Sequence, residues 1–409
     1  MSGALRNATL AVGSVLLAFV LTLAADHVVG AFAPTPTLPG SMELLFPPNA
    51  DQSYESLDFS YTAHINSLGL REREIGKERT EAYRIIAIGD SYTYGWGVES
   101  EQTWLRLIEE SLRGAGLNVE TINMGKPGAG PPDYADLAEE VVPLFRPDLV
   151  LVGMLQGNDL AAAGPEVIEE AAETFLDKVR GLYPHSIRLI EDMRLSRDYA
   201  SRTQEMRPPQ KSSAEDNRRW TANTAKEFLD GMTPEHRARF DAFDDTVKEA
   251  FLAGRLNPYM VDLAMQNARF YCGTLNLDDP WTQTCLERMG HHLARIKRVA
   301  DSYEAEVLVL SIPDGPYVNA AAVRNIRRVG YEVPDNIVDS DAPDTAIREA
   351  CGHAGVPFLT VTPAFRQRRD NPGLFFELDG HLTAEGHRLY AESLAPLLLE
   401  RIRKHAPMR

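Results

Sequence analysis

From Arg84 onward the chain alternates short apolar runs with amphipathic stretches, and no other feature constrains its fold as tightly. The apolar runs lie at 85–88, 119–122, 149–154, 307–312 and 358–361, with helical patterns at 102–113, 133–144, 286–303, 345–351 and 384–404. Such alternation predicts an α/β fold, a flavodoxin-like doubly wound sheet of five parallel strands with helices on both faces. In that architecture the carboxyl ends of all strands share one edge, where ligands bind.

The loops at that edge carry the chemistry. The first run ends in Gly89-Asp90-Ser91, and Asn123-Met124-Gly125-Lys126-Pro127-Gly128-Ala129-Gly130 follows the second. Gly157-Asn158-Asp159 follows the third, and Asp379-Gly380-His381 precedes the last helix. Each block alone is ordinary turn or helix-capping chemistry. A serine becomes a nucleophile only when a base takes its proton and donors await the oxyanion, and these four loops would supply all of those parts together.

In this order the blocks resemble those of the SGNH, or GDSL, hydrolase family, over residues 84–160 and about 286–400. The resemblance implies Ser91 as nucleophile and His381 as general base, with Asp379 orienting it. It implies the backbone amides of Ser91 and Gly128, with the side-chain amide of Asn158, as the oxyanion hole. The family more often separates acid and histidine by two residues, whereas one residue separates Asp379 from His381, so Glu377 is the alternative acid. Gly380 gives the backbone freedom to bring a pair so spaced together in a turn. His387 falls inside the last helical pattern, where packing or solvent exposure is expected of it.

Other catalytic readings lack their residues. Thr93 stands where a Gly-x-Ser-x-Gly elbow needs its second glycine. The glycines at 125–130 lack the Lys-Ser or Lys-Thr of a phosphate loop and the spacing of a dinucleotide fingerprint. Cysteine and histidine spacing shows no zinc signature, so no metal and no cofactor are expected. Trp96 and Trp104, near Ser91, offer faces on which a sugar could stack, with core packing the favoured role for Trp104.

Outside these blocks, the chain divides into three further parts. Residues 1–33 hold a charge-free apolar run between Arg6 and Asp26, expected to be an uncleaved membrane anchor, with a removed signal peptide as the alternative. Residues 34–83 read as a Pro-rich spacer followed by a β-rich extension. Residues 161–285 read as a helical insertion, either a lid over the site or a flanking decoration, and the hydrolase domain occupies 84–160 and 286–409. Cys272 and Cys285 bracket a short polar segment and are read as a disulfide or as two buried thiols.

The chain carries 59 acidic against 42 basic side chains, a net charge of -17. That balance repels nucleic acid, and short basic clusters such as 366–369 read as solvated faces. The expected partners are a small ester or an acylated carbohydrate or lipid substrate, and a membrane through the N-terminal segment, with the catalytic domain on the periplasmic or extracellular side. The expected activity is hydrolysis of an acyl ester, acetyl among the candidates, through an acyl-enzyme. Transfer of an acyl or acetyl group to a cell-surface polysaccharide is the alternative, and a non-catalytic binding module the second.

Overall fold

A computed structural model of the 409-residue chain describes residues 3–32, 38, 40–76, 78–164, 179, 181–202 and 211–405. The Pro-rich spacer at 34–40 and parts of the insertion, 165–178 and 203–210, fall largely or wholly outside these.

Five strands form the central sheet: β3 (Tyr83–Gly89), β4 (Val119–Gly125), β5 (Leu149–Leu155), β7 (Glu306–Ile312) and β8 (Phe358–Thr360). All pair in parallel, in the order β4-β3-β5-β7-β8. Alternate side chains feed opposite faces, as strand geometry requires. Ile85, Leu149, Leu151, Leu308 and Leu310 pack on one face with Trp104 and Tyr390. Ile86, Ile88, Val150, Val152 and Val309 pack on the other with Val141, Met289 and Ile347. Burial on both faces explains why these strands read as continuous apolar runs.

The helices that cover the sheet are α3 (Trp104–Gly114), α4 (Pro131–Phe145), α11 (Pro280–Ser302), α13 (Ala342–Ala354) and α15 (Ala384–His405). Several begin earlier than their apolar periodicity suggests because proline starts them. Pro131 and Pro343 sit in the first turn, where a fixed φ suits the helix and the missing N–H costs nothing. His387, inside α15, is buried, and its Nδ1 accepts the Trp104 amide at 3.2 Å.

The extension forms a hairpin of β1 (Asp51–Glu55) and β2 (Ser60–His64), joined in parallel by the two-residue β6 (Lys211–Ser212) of the insertion. The insertion itself is helical: α6 (Pro184–Arg202), α7 (Ala214–Asp230), α8 (Pro234–Asp241), α9 (Asp245–Leu252) and α10 (Pro258–Gln266). The apolar periodicity of Phe240, Phe243, Val247 and Phe251 runs through the break between α8 and α9, and all four are buried. Cys272 and Cys285 are both free thiols, so the disulfide reading is corrected. Cys285 is buried on the inner face of α11 beside Leu286 and Met289, whereas Cys272 directs its sulfur at the Glu332 carbonyl 3.4 Å away.

The N-terminal helix α1 (Gly3–Phe32) contains one stretch, Ala11–Phe32, long and apolar enough to cross a membrane, with mean hydropathy 2.1. Near its end the buried Asp26 carboxylate accepts the first amides of α6, from Ser186 at 2.7 Å and His185 at 3.3 Å. The basic cluster at 366–369 is neutralised locally, Arg366 by Asp341 and Arg369 by Asp339.

Burial pushes the His387 pKa down to about 3, with the charges of Arg71 and His381 adding to the effect. The unfolded imidazole titrates near 6.5, so His387 favours the fold fully above that pH and progressively less as pH falls towards 3. A His387→Gln variant should therefore lose less stability than the wild type between pH 6.5 and 4, measured by urea midpoints at each pH.

Candidate active site

The Ser91 loop is seated on glycine. Gly89, Gly125 and Gly153 lie side by side in register on three adjacent strands, Gly89 and Gly125 being the last residues of theirs. A Cβ on Gly89 would meet Thr93 Oγ1 at 2.1 Å, and one on Gly125 would meet the Tyr94 amide at 2.1 Å. The short helix α2 (Ser91–Tyr94) can thus press its backbone onto the sheet edge, with Asp90 capping it through the Tyr92 amide at 2.9 Å. From the extension, the buried Arg71 guanidinium donates to the carbonyls of Tyr94, Gly95 and Val98, holding the far end of the same turn.

Ser91, Asp379 and His381 meet there. Ser91 Oγ lies 2.7 Å from His381 Nε2, and His381 Nδ1 lies 2.5 Å from Asp379 Oδ1. Gly380, at φ +84, makes the turn that lets an acid and a histidine two positions apart converge. Glu377 instead pairs with Arg328 at the surface. Gly128 and Asn158 line the same cleft. Gly128 holds φ +79 with open space where a side chain would stand, and the Asn158 side-chain oxygen is buried without a partner among the described residues. The neighbouring Asp159 is structural, accepting the Tyr134 hydroxyl at 3.0 Å and the Leu155 amide at 2.7 Å.

Several residues that sequence reasoning did not single out shape the site. Asp58, in the hairpin loop of the extension, accepts the amides of both Leu378 and Asp379 at 2.8 Å and so fixes the turn that leads to His381 from outside the central sheet. Tyr92 stacks on the imidazole with ring centres 4.6 Å apart and donates its hydroxyl to the Gly380 carbonyl at 3.1 Å. Asp314 follows β7, its Oδ1 3.4 Å from the Tyr92 hydroxyl. Its position just past a strand's carboxyl end was a readable signal; nothing local in the sequence points to Asp58.

Electrostatics follow from burying these acids around one imidazole. Burial pushes Asp90 up to about 6 and Asp314 up to about 7, against the opposing pull of His381 on each. Burial alone would lower His381, but the Asp379 charge and hydrogen bond, with Asp90 and Asp314, outweigh it and hold the imidazole above its usual value. The imidazole is thus a stronger base than free histidine, with its protonated form stabilised beside the Ser91 hydroxyl.

Around the triad opens a cleft of about 1010 Å³, walled on one side by the extension and on the other by the insertion. Trp96 lines it, whereas Trp104 is fully buried and packs on Tyr390. The GDSL-like Lipase/Acylhydrolase family model matches residues 87–281, a span that holds Ser91, Gly128 and Asn158 and stops short of Asp379 and His381. Over that span the chain is similar to GDSL-like lipases and acylhydrolases, a likeness that supports ester cleavage as its chemistry.

No curated protein matches the chain. Among solved structures, TesA is similar at 11% identity, covering 77% of this chain and 97% of its own, with TM-score 0.36. A lipolytic protein of the G-D-S-L family from Desulfitobacterium hafniense is similar at 12% identity, covering 77% and 99%, with TM-score 0.36. A mutant form of Axe2, an acetyl-xylooligosaccharide esterase from Geobacillus, is similar at 10% identity, covering 78% and 95%, with TM-score 0.36.

Asp58→Ala should leave the protein folded yet lower kcat by roughly tenfold, the scale of about 1.4 kcal/mol expected for charge-assisted hydrogen bonds that position a reacting group. Steady-state kinetics on a p-nitrophenyl ester, with circular dichroism as the folding control, measures it.

Proposed function

We propose that this chain is a membrane-anchored, exported serine esterase that cleaves its substrate through an acyl-enzyme at Ser91. The observation that carries the reading is the unbroken hydrogen-bonded line from Ser91 Oγ through His381 to Asp379. Ser91 Oγ attacks the ester carbonyl carbon while His381 Nε2 takes its proton. The tetrahedral oxyanion is held by the amides of Ser91 and Gly128 and by Asn158. As the carbon–oxygen bond to the alcohol breaks, His381 returns the proton to the leaving oxygen. Water, deprotonated by the same imidazole, then attacks the acyl-enzyme and releases the acid and free Ser91.

Within this reading the hydrolase domain is built from 84–160 and 286–409, with 34–83 and 161–285 supplying the cleft's two walls. Retention of α1 as an anchor is supported by Asp26, since removing that helix would leave the first amides of α6 without their acceptor. The catalytic domain then faces the periplasmic or extracellular side. Acyl transfer to a sugar hydroxyl is a second reading, favoured by Trp96, which lines the cleft beside His381 and offers an acceptor a stacking surface.

A fluorophosphonate should label the wild type at Ser91 and leave Ser91→Ala unlabelled, read by peptide mass spectrometry; a folded wild type without the adduct overturns the proposal. Asn158→Ala should retain labelling while kcat drops by about 10²–10³. Because the reactive imidazole is neutral, kcat/KM should rise with pH through a value above about 6.5. Asp379→Asn should move that limb downward and cut kcat by roughly 10⁴. Product analysis with and without a carbohydrate acceptor separates hydrolysis from transfer.

A further inference from the structure

The cleft has two arms, and the stereochemistry of serine attack assigns each a different half of the substrate. A tetrahedral carbon bonded to Ser91 carries three other groups: the oxyanion, the leaving oxygen and the acyl substituent. The oxyanion must face Gly128 and Asn158, and the leaving oxygen must reach His381 Nε2 to receive its proton. On the imidazole's side stands the extension's aromatic cluster. The Trp96 ring centre lies 6.3 Å from that of His381, and Tyr54 and Phe59 pack on Trp96 at 5.1 and 6.2 Å. The alcohol therefore leaves along this arm, and the acyl substituent takes the remaining direction.

That direction leads past Gly157 into the insertion. A Cβ on Gly157 would stand 1.9 Å from Asp314 Oδ2 and 3.4 Å from the Tyr271 ring, so the insertion reaches the block that carries Asn158. Beyond it the cleft is lined by Met260, Leu263, Ile326 and Tyr331. These walls are braced: the Tyr331 hydroxyl donates to the Met260 carbonyl at 2.8 Å, and the Tyr271 and Tyr331 rings meet at 5.0 Å. Met260, Leu263 and Tyr271 remain only half-buried while lining the cleft.

Resting on the Ser91 reading above, we infer that the insertion is the acyl selector of this enzyme, and that its arm takes an unbranched hydrocarbon acyl chain well beyond acetyl. The whole cleft, about 1010 Å³, sits at the upper end of the roughly 300–1,000 Å³ usual for small-molecule sites. An acetyl group would leave the arm's apolar walls unfilled. Each methylene placed against them should raise kcat/KM by about fourfold, until the arm is full.

The test uses the full-length protein in detergent with p-nitrophenyl acetate, butyrate, hexanoate and octanoate, the alcohol being constant. Octanoate or hexanoate should exceed acetate in kcat/KM by at least tenfold. Leu263→Trp, which fills the arm, should lower the octanoate-to-acetate ratio at least tenfold, and Leu263→Ala should move the optimum to longer chains. Trp96→Ala, in the other arm, should shift that ratio by less than twofold. A wild-type preference for acetate overturns the inference, as does a ratio that follows Trp96 instead of Leu263. Fluorophosphonate labelling of Ser91 in the same preparations distinguishes that outcome from failure of the catalytic reading itself, and a melting curve on each variant separates selectivity from misfolding.

Discussion

The short line from Asp379 through His381 to Ser91 exists because several carboxyl groups are buried around a single imidazole, and the surroundings follow from keeping them there. An isolated buried carboxylate is expensive, so each acid is tied to donors or shares the field of His381. Asp90 takes the Tyr92 amide, Asp159 takes Tyr134 and Leu155, and Asp314 faces the Tyr92 hydroxyl. The net effect on His381 is a base stronger than free imidazole, hydrogen-bonded to the Ser91 hydroxyl.

Two segments outside the α/β sheet complete this arrangement from opposite sides. The extension contributes backbone control: Arg71 clasps the carbonyls after the Ser91 turn, and Asp58 clasps the amides before His381. It is also tied inward, Arg73 pairing with the buried Glu109 of α3 at 2.8 Å. The insertion contributes shape, bringing Tyr271 beside Gly157 and closing one wall of the cleft. Backbone control of the site and the shape of the cleft therefore come from different segments of the chain.

Much of this was legible along the chain. Apolar runs of strand length, bounded by turn residues, announced β3, β4, β5, β7 and β8 because burial on both faces leaves no alternation to blur them. The Gly-Asp-Ser, Gly-Asn-Asp and Asp-Gly-His blocks announced themselves because each follows a strand or precedes a helix, and a parallel sheet gathers such loops at one edge. The acid was harder, since Asp379 and Glu377 are both near His381 in sequence and only the turn at Gly380 decides which carboxylate faces the ring. The cysteines were ambiguous for a similar reason: spacing does not say which way a helix points its thiol.

The sequence by itself determined the sheet, its helices and the residue types of the catalytic loops, because hydrophobic periodicity and turn chemistry are local properties of a chain. Only the tertiary structure decided that Gly89, Gly125 and Gly153 align beneath the Ser91 turn, and that Asp58 grips the turn before His381. It alone placed Tyr271 against the Asn158 block. Those contacts join residues tens to hundreds of positions apart, and their energies depend on strand register and desolvation, neither of which any single stretch of sequence contains.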